Sequence, residues 1–401
     1  MSAKHLSVLL FVAAAALPGR ASALQCSSLP EPAYVIATPS AEPMVQKVAS
    51  LLQRTDAQRM TVIYQIRPSC KALEAVARDT LPASCATDAC IRGKALFFTL
   101  DPRDTEPKEC DLESTGSKVD LALSDVFPQT CPAFAQTAPS GILDNPGPVS
   151  PYSLVMLRSA TEAAIHAEEA HFVFGAGKSA NIKPWFNDAV IAHLGTQDAG
   201  VLLVGNRIKL ASARWKGTTV ASVDDLVSTI YNDAEHGIGI LPTTVVDRRR
   251  AELRPLAFQA VGQKGSFFPD RRSTTYDKQN VRDGHYPLWG YLHTVLRQDP
   301  GNPGQPLSKK GSRLSDIFLG KGLVGGQDSQ LLQVQNGFVP QCAMKVTRTS
   351  DPTPLSIYAP AEPCHCFFEH NVSQGGNPTC QQCPAGTCGS GVCRRKYCEA
   401  Q

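Results

Sequence analysis

The chain has 401 residues, 42% of them hydrophobic and 19% charged, enough to bury the cores of two or three domain-sized units. A formal net charge of +3 gives no basic surplus of the kind that nucleic acid or an anionic membrane surface requires. The 14 cysteines are too many for an ordinary reduced protein and make the compartment the first question.

Residues 1–23 read as a secretory signal. Lys4 and His5 form a short basic start, "LSVLLFVAAAAL" is the apolar run, and Ala21-Ser22-Ala23 has the small-x-small form of a cleavage site. Gln25, just before Cys26, is a poor fit to a lipid-anchoring signal. The apolar run is too short to span a bilayer, and no later stretch is long and apolar enough, so a periplasmic or secreted chain that is not transmembrane is expected. Export turns the cysteines into disulfides, and their even number agrees.

"AYVIAT" (33–38) reads as a buried strand. Ser40 stands where a helix N-cap belongs, before Pro43 and a helix with Val45, Val48 and Leu52 on one face. "TVIYQI" (61–66) is the next strand, and Ser69 opens the helical "SCKALEAVARD". "ALFFTL" (95–100), "VDLALS" (119–124) and "YSLVML" (152–157) are further strands. Helices are expected over 161–174, 196–205 and 223–233, and strands over 237–241 and 253–258, before the aromatic stretch 285–296. This alternation predicts an α/β fold with mainly parallel sheets. Residues 346–363 read as a linker. Seven cysteines then crowd into 364–398, a Gly-rich, aliphatic-poor tail that cross-links would have to hold. An odd number there implies one pairing outside, with Cys342 the nearest candidate; the connectivity stays open, and "CHC" with "CQQC" leaves zinc as an alternative.

Three motifs fail on spacing. "HFVFGAGKS" (171–179) ends like a P-loop, but the first glycine should fall at Phe172, so no nucleotide is expected. "HAEEAH" (166–171) sets its histidines five apart, and a zinc-protease helix needs four. No Gly-x-Ser-x-Gly elbow occurs. No catalytic residue, metal or cofactor is expected, and the chain does not read as an enzyme. What remains is a set of small hydroxyls at strand ends: Ser40, Ser69, Ser124 with Asp125, and Thr196 beside Gly195. Strand carboxyl ends and helix N-termini are where open α/β sheets bind ligands, and anions in particular.

The body resembles the periplasmic solute-binding proteins of ABC transporters, of the phosphate-binding type. The resemblance lies in "AYVIATPSAEPMVQKVASLL", "VDLALSDVFPQTC", "PWFNDAVIAHLGTQDAGVLLVG" and "YDKQNVRDGHYPLWGYLH", and covers roughly residues 30–345. It implies a two-lobed α/β trap, with lobe 1 over 24–149 and 248–345, lobe 2 over 150–247, and a small disulfide-rich module over 364–401. It further implies that Ser40, Ala41, Ser69 and Ser124 donate hydrogen bonds to a small oxyanion such as phosphate. Asp125 would accept the ligand's proton, Gly195 and Thr196 would close from lobe 2, and an ABC transporter permease would be the partner. The family's Arg-x-x-x-Ser-Gly-Thr is not kept: Val190 holds the arginine place and Leu194 the serine place. A secreted interaction protein that keeps the fold and has lost the ligand is the alternative.

Overall fold

Among the described residues, the longest strand runs over sixteen residues, from Ile142 to Leu157, and joins two half-sheets. The computed structural model describes residues 24–77, 91–372 and 380–400; the leader, Cys85 and Cys90 lie outside them. In chain order, the first half contains β1 (Pro32–Ala37), α1 (Glu42–Arg54), β2 (Thr61–Ile66), α2 (Ser69–Ala77), β3 (Lys94–Phe97), β4 (Lys108–Asp111) and β5 (Leu121–Ser124). The long strand is β6 (Ile142–Leu157). Next come β7 (Ala164–His166), α3 (Ala167–Ala176), β8 (Ile191–His193), α4 (Ala199–Ile208), β9 (Thr218–Thr219), α5 (Val223–Tyr231) and β10 (Ile238–Pro242). The chain returns through α6 (Thr243–Arg248), β11 (Leu253–Pro255), β12 (Ala257–Gln259) and β13 (Trp289–Arg297).

The sheet order is β4-β3-β2-β1-β5-β13-β6-β10-β8-β9, with β11 also on β6. β1 pairs parallel with β2 and β5, and β10 with β8, but β13 pairs antiparallel with β5 and β6, β10 antiparallel with β6, and β3 antiparallel with β2 and β4, so the sheet is mixed and not mainly parallel as expected. β6 pairs with β13 over residues 142–151 and with β10 over 152–155, so the chain changes half-sheet at Pro151–Tyr152. The fold is mixed α/β with a small disulfide-rich C-terminal region. α1 shows how its sequence sets its packing: Pro43 fits the first turn, Glu42 and Arg54 oppose the helix dipole at the two ends, and Met44, Val45, Val48 and Leu52 form one buried face.

Several expected elements differ; the strand expected over 253–258, for one, is two strands, β11 on β6 and β12 on β7. The helix expected over 161–174 begins only at Ala167, because residues 164–166 pair in parallel with β12. The segment 346–363 does not hang free. Val346–Thr347 and Ser356–Ile357 pair as a short hairpin, and the strap between them is pinned by two buried charges. Arg348 stacks its guanidinium 3.6 Å from the Trp289 ring centroid. Asp351 Oδ2 accepts from Phe127 N (2.9 Å) and Thr130 Oγ1 (2.6 Å), just after β5. Arg207, in the last turn of α4, donates to the carbonyls of Asp351 (2.6 Å) and Thr353 (3.3 Å). The strap therefore holds both halves.

Six disulfides join described cysteines. Cys26–Cys110 and Cys70–Cys131 lie in the body, and Cys342–Cys364 ties the body to the tail. Cys366–Cys380, Cys383–Cys393 and Cys388–Cys398 staple the tail. The tail is also docked. Phe367 and Phe368 enter the main core cluster, and the buried Arg282 donates to Glu369 at 2.9 Å.

Replacing Asp351 with Ala leaves Arg348 and Arg207 without their nearby carboxylate and two donors on Asp351 Oδ2 unsatisfied. A stability loss of about 3–5 kcal/mol is expected in urea unfolding, as for one partner removed from a buried charged network. A loss below about 1 kcal/mol would show that the strap is not a structural tie.

Candidate functional site

The first half-sheet brings one carboxylate to the carboxyl end of β5, where the first turns of α1 and α2 converge. Asp125 is completely buried, and its Oδ2 accepts three hydroxyls: Thr38 Oγ1 at 2.5 Å, Ser40 Oγ at 2.6 Å and Tyr152 Oη at 2.7 Å. Its Oδ1 has no hydrogen-bond partner among the described groups. Ser150 lies close enough to favour the ionised form without completing a hydrogen bond. Burial raises the Asp125 pKa above the usual carboxylate value, against the hydroxyls of Ser40, Thr38 and Tyr152, which lower it.

Each expected site residue can now be placed. Ser40 is not a helix cap: Ala41 holds the N-cap position of α1 without a side-chain cap, and the Ser40 hydroxyl goes to Asp125. Ser69 is the first residue of α2; its Oγ accepts Asp125 N at 3.2 Å, which leaves its own hydrogen to donate. The Cys70–Cys131 disulfide clamps this turn to the loop after Asp125. Ser124 turns onto its own chain, donating to Val126 O at 3.1 Å. Gly195 and Thr196 precede α4 and do not open it, because the helix starts at Ala199. Gly195 sits at φ +103°, a left-handed conformation that suits glycine, and Thr196 is exposed.

The second half presents a carboxylate as well. Asp198 is the N-cap of α4, its Oδ1 accepting Gly200 N at 2.8 Å. Burial pushes its pKa up to about 7, with the nearby Asp125 charge adding to the rise and the Gly200 and Ala199 amides opposing it. Gln197 O accepts Cys70 N at 3.3 Å, so a carbonyl of the second half sits on the first turn of α2. Thr244 Oγ1 donates to Ser40 O at 3.4 Å across the same boundary. A cleft of about 510 Å³ opens beside these contacts, lined by Pro39, Tyr64 and Leu194 and by the charged Glu42, Arg67, Lys94, Asp198 and Asp224. Val190 is buried, and His193 Nδ1 accepts Gly195 N at 3.1 Å while burial lowers the His193 pKa, which disfavours the charged form of that imidazole. Reading the sequence did not single out Thr38, Tyr152 or Asp198. The Asp-Ala-Gly start of α4 was the one local signal, an acidic N-cap ahead of an apolar run.

The remaining motifs resolve locally. "GAGKS" closes α3: Gly177 is its C-cap at φ +56°, where a Cβ would meet Asp188 Oδ1 at 2.1 Å, and Lys178 N donates to that oxygen at 2.6 Å. The amide a phosphate would need is thus already taken by a carboxylate. The sulfurs of Cys383, Cys388 and Cys398 lie within 4.8 Å of one another as members of two adjacent disulfides. No helix of the described residues is long and apolar enough to cross a membrane.

No protein-family model and no curated protein matches the chain. Solved structures are similar to it in fold. One is a protein assigned as a phosphate ABC transporter substrate-binding protein, with phosphate bound, from Clostridium perfringens; identity is 11%, coverage 77% of this chain and 99% of that one, and the TM-score 0.48. An ABC-type phosphate transport receptor from Vibrio cholerae has 10% identity, 77% and 99% coverage, and a TM-score of 0.46. A mutant of OxyR from Corynebacterium glutamicum has 11% identity, 79% and 69% coverage, and a TM-score of 0.39.

Asp198 gives a pH prediction with a defined sign. Its folded pKa of about 7 lies above the ordinary 3.8, so between those values the folded chain binds more protons than the unfolded one. Its contribution to stability therefore falls as pH rises from about 4 to 7 and is level above, with a slope of at most about 1.4 kcal/mol per pH unit. Urea unfolding of wild type and Asp198→Asn at pH 4, 5.5, 7 and 8 should show the wild type losing stability relative to the variant across that window. A pH-independent difference would show that Asp198 does not titrate there.

Proposed function

We propose that the chain is an exported solute-binding protein that takes a small protonated oxyanion of the phosphate class at Asp125, for delivery to an ABC transporter permease. The observation that carries this reading is the Asp125 cluster. One carboxylate oxygen is saturated by hydroxyls and the other is unpaired, in a fully buried position between two helix N-termini. An open acceptor of this kind takes the proton of hydrogen phosphate. It opposes the lone pairs of a fully ionised anion such as sulfate, which gives discrimination by an unpaired acceptor. The free hydrogen of Ser69 and the first-turn amides of α1 that follow Ala41, whose own N–H is already on Thr38 O at 3.1 Å, are the donors that would face the anion from the first half. Ser40 and Ser124 would hold the Asp125 turn, and Gly195 and Thr196 would close from the second half. The sequence resemblance over residues 30–345 agrees, and the disulfides suit an oxidising compartment outside the cytoplasm.

A second reading has its own observation. Asp198 caps α4 and Gln197 O occupies Cys70 N, so protein groups already take up amides at the N-termini of both α4 and α2 that an anion would need. In that reading the chain keeps the fold as a secreted or surface interaction protein and binds no solute.

Calorimetric titration with phosphate and sulfate separates the two. Phosphate should bind and sulfate should not. Each missing charge-assisted bond from the Val190 and Leu194 positions costs about 1.5–3 kcal/mol, so affinity should be roughly ten- to a hundredfold below that of a site with the full set, per bond lost. Asp125→Asn should narrow the preference for phosphate over sulfate, because an amide also donates. No heat and no thermal shift with either anion at millimolar concentration would leave the ligand-free reading standing.

A further inference from the structure

A second hollow, of about 400 Å³, shares no lining residue with the cleft and contains none of the groups around Asp125. Its floor is the polar face of α1, where Gln46, Lys47, Ser50 and Arg54 recur at helical spacing; Arg248, the last residue of α6, and Asn336 complete it. Among the described residues the lining carries three cations, Lys47, Arg54 and Arg248, and no carboxylate. Both arginines are held in place by neutral acceptors. Arg54 donates to Thr99 O at 3.0 Å, Asp104 O at 2.6 Å and Ser50 Oγ at 3.2 Å, with its guanidinium 5.4 Å from the Phe98 ring centroid. Arg248 donates to Asn336 Oδ1 at 2.9 Å, which leaves most of its N–H groups for a ligand. Glu42 lies near Arg248 and Asp101 near Arg54, and neither is bonded to its neighbour. A hollow lined by one sign of charge focuses its field on what enters. An adjoining hollow of about 290 Å³ shares Arg248, Gln335 and Asn336 and runs on to Tyr276 and to Asn371 of the tail helix His365–Val372. Its one acid, Asp247, is already held by Lys278 at 2.7 Å and Arg250 at 2.6 Å.

The spacing and the neutral groups between the cations narrow the ligand. Lys47 and Arg54 leave α1 about 10 Å apart along its axis, so acids spaced along a chain match them better than one inorganic oxyanion does. The rest of the polar lining is uncharged. Gln46, Gln335 and Asn336 bring amides, Thr105 brings a hydroxyl, and Ser50 keeps its hydrogen to donate after accepting Arg54. A polyphosphate or a nucleic-acid backbone has little for these groups, and the chain's net charge of +3 suits neither. Sugar rings offer hydroxyls to amides, and a carboxylate or sulfate on the ring meets a guanidinium fork. We propose that this groove, formed by α1, the end of α6 and the residues around Asn336, is a binding site for an extended acidic oligosaccharide, with its acidic groups on Lys47, Arg54 and Arg248 and its ring hydroxyls on the amides between them. The site is separate from Asp125 and gives an exported chain a second ligand at its outer surface.

Trigalacturonate is the probe for ring carboxylates and a heparin tetrasaccharide the probe for ring sulfates. Maltotriose is the neutral control, tetraglutamate the acidic-peptide control, and inorganic phosphate and sulfate the ion controls. Each is titrated calorimetrically into the full chain as wild type, Lys47→Gln and Arg248→Gln. Thermal melts verify folding, and Lys47, an exposed side chain, gives a variant that keeps the fold. At least one acidic saccharide should bind wild type, with affinity falling as salt rises. Whether the uronate or the sulfated chain binds more tightly identifies which acid the groove takes, and either supports the site. Arg248→Gln should weaken binding about tenfold, as for one charge-assisted hydrogen bond lost, and Lys47→Gln about two- to fivefold, as for an exposed ion pair. Maltotriose should not bind, and phosphate should bind Lys47→Gln as it binds wild type, because Asp125 is untouched. Binding of neither acidic saccharide overturns the proposal, as does binding that both variants leave unchanged. Tetraglutamate or maltotriose binding as tightly as the acidic saccharides overturns the assignment to an acidic sugar. Phosphate and sulfate matching trigalacturonate, and weakened by the same variants, would show an adventitious ion only and overturn it too.

Discussion

The Asp125 carboxylate is the interaction on which the arrangement of the two halves depends. It draws three hydroxyls from two places: Thr38 and Ser40 from the turn after β1, and Tyr152 from the strand that crosses between the half-sheets. A fully buried charge is costly unless hydrogen-bonded, and three donors on one oxygen offset much of that cost. Those donors fix the turn that opens α1, the register of β6 at its crossing, and the position of the Asp125 amide on Ser69. The geometry that makes a site possible is thus the same geometry that joins the halves.

The parts of the fold legible in the sequence were those that follow local periodicity. β1, β2 and β5 were readable as apolar runs bounded by turn residues, and α1 as an apolar face after a proline. β6 was readable only over 152–157. Its first ten residues contain Pro146, Gly147, Pro148 and Pro151, which punctuate a chain read one window at a time. Tertiary packing overrides that signal. Residues 142–151 lie against β13, and Gly147 passes so close to β13 that a Cβ would fall 2.7 Å from the Leu292 carbonyl oxygen. The strand β7 was absorbed into the helix after it because its parallel partner, β12, lies some ninety residues away. The strap over 346–357 carries linker composition, and its burial comes from Arg348 and Asp351, charges whose partners are all distant in sequence.

The site was legible in part for a similar reason. Ser40, Ser69, Ser124 and Asp125 stand at strand ends, and strand ends can be found from a pattern. What each hydroxyl does cannot. Ser40 caps nothing and binds Asp125, and Ser124 bonds within its own turn. Tyr152 sits mid-strand in an apolar run and reads as core until its hydroxyl is placed. Gly195 and Thr196 carried the helix-opening signal, but Asp198 competes for it and holds the cap, because a carboxylate satisfies the first-turn amides more strongly than a hydroxyl.

Helix α4 links the cleft and the strap. Its N-terminus carries Asp198 in the cleft, and its last turn carries Arg207 on the strap carbonyls, about 15 Å further along a ten-residue helix. The strap in turn holds the loop after Asp125 through Phe127 N and Thr130, and the Cys342–Cys364 disulfide closes the segment that contains it. Any displacement of α4 must therefore act on the strap through its last turn. Either the Arg207 bonds break or the strap moves with the second half and pulls Asp351 from Phe127 and Thr130. Both routes cost buried, charge-assisted hydrogen bonds. One helix thus carries an acid on its own N-terminal amide at the cleft and an arginine on the strap carbonyls at its other end, so the cleft and the strap share a single rigid element.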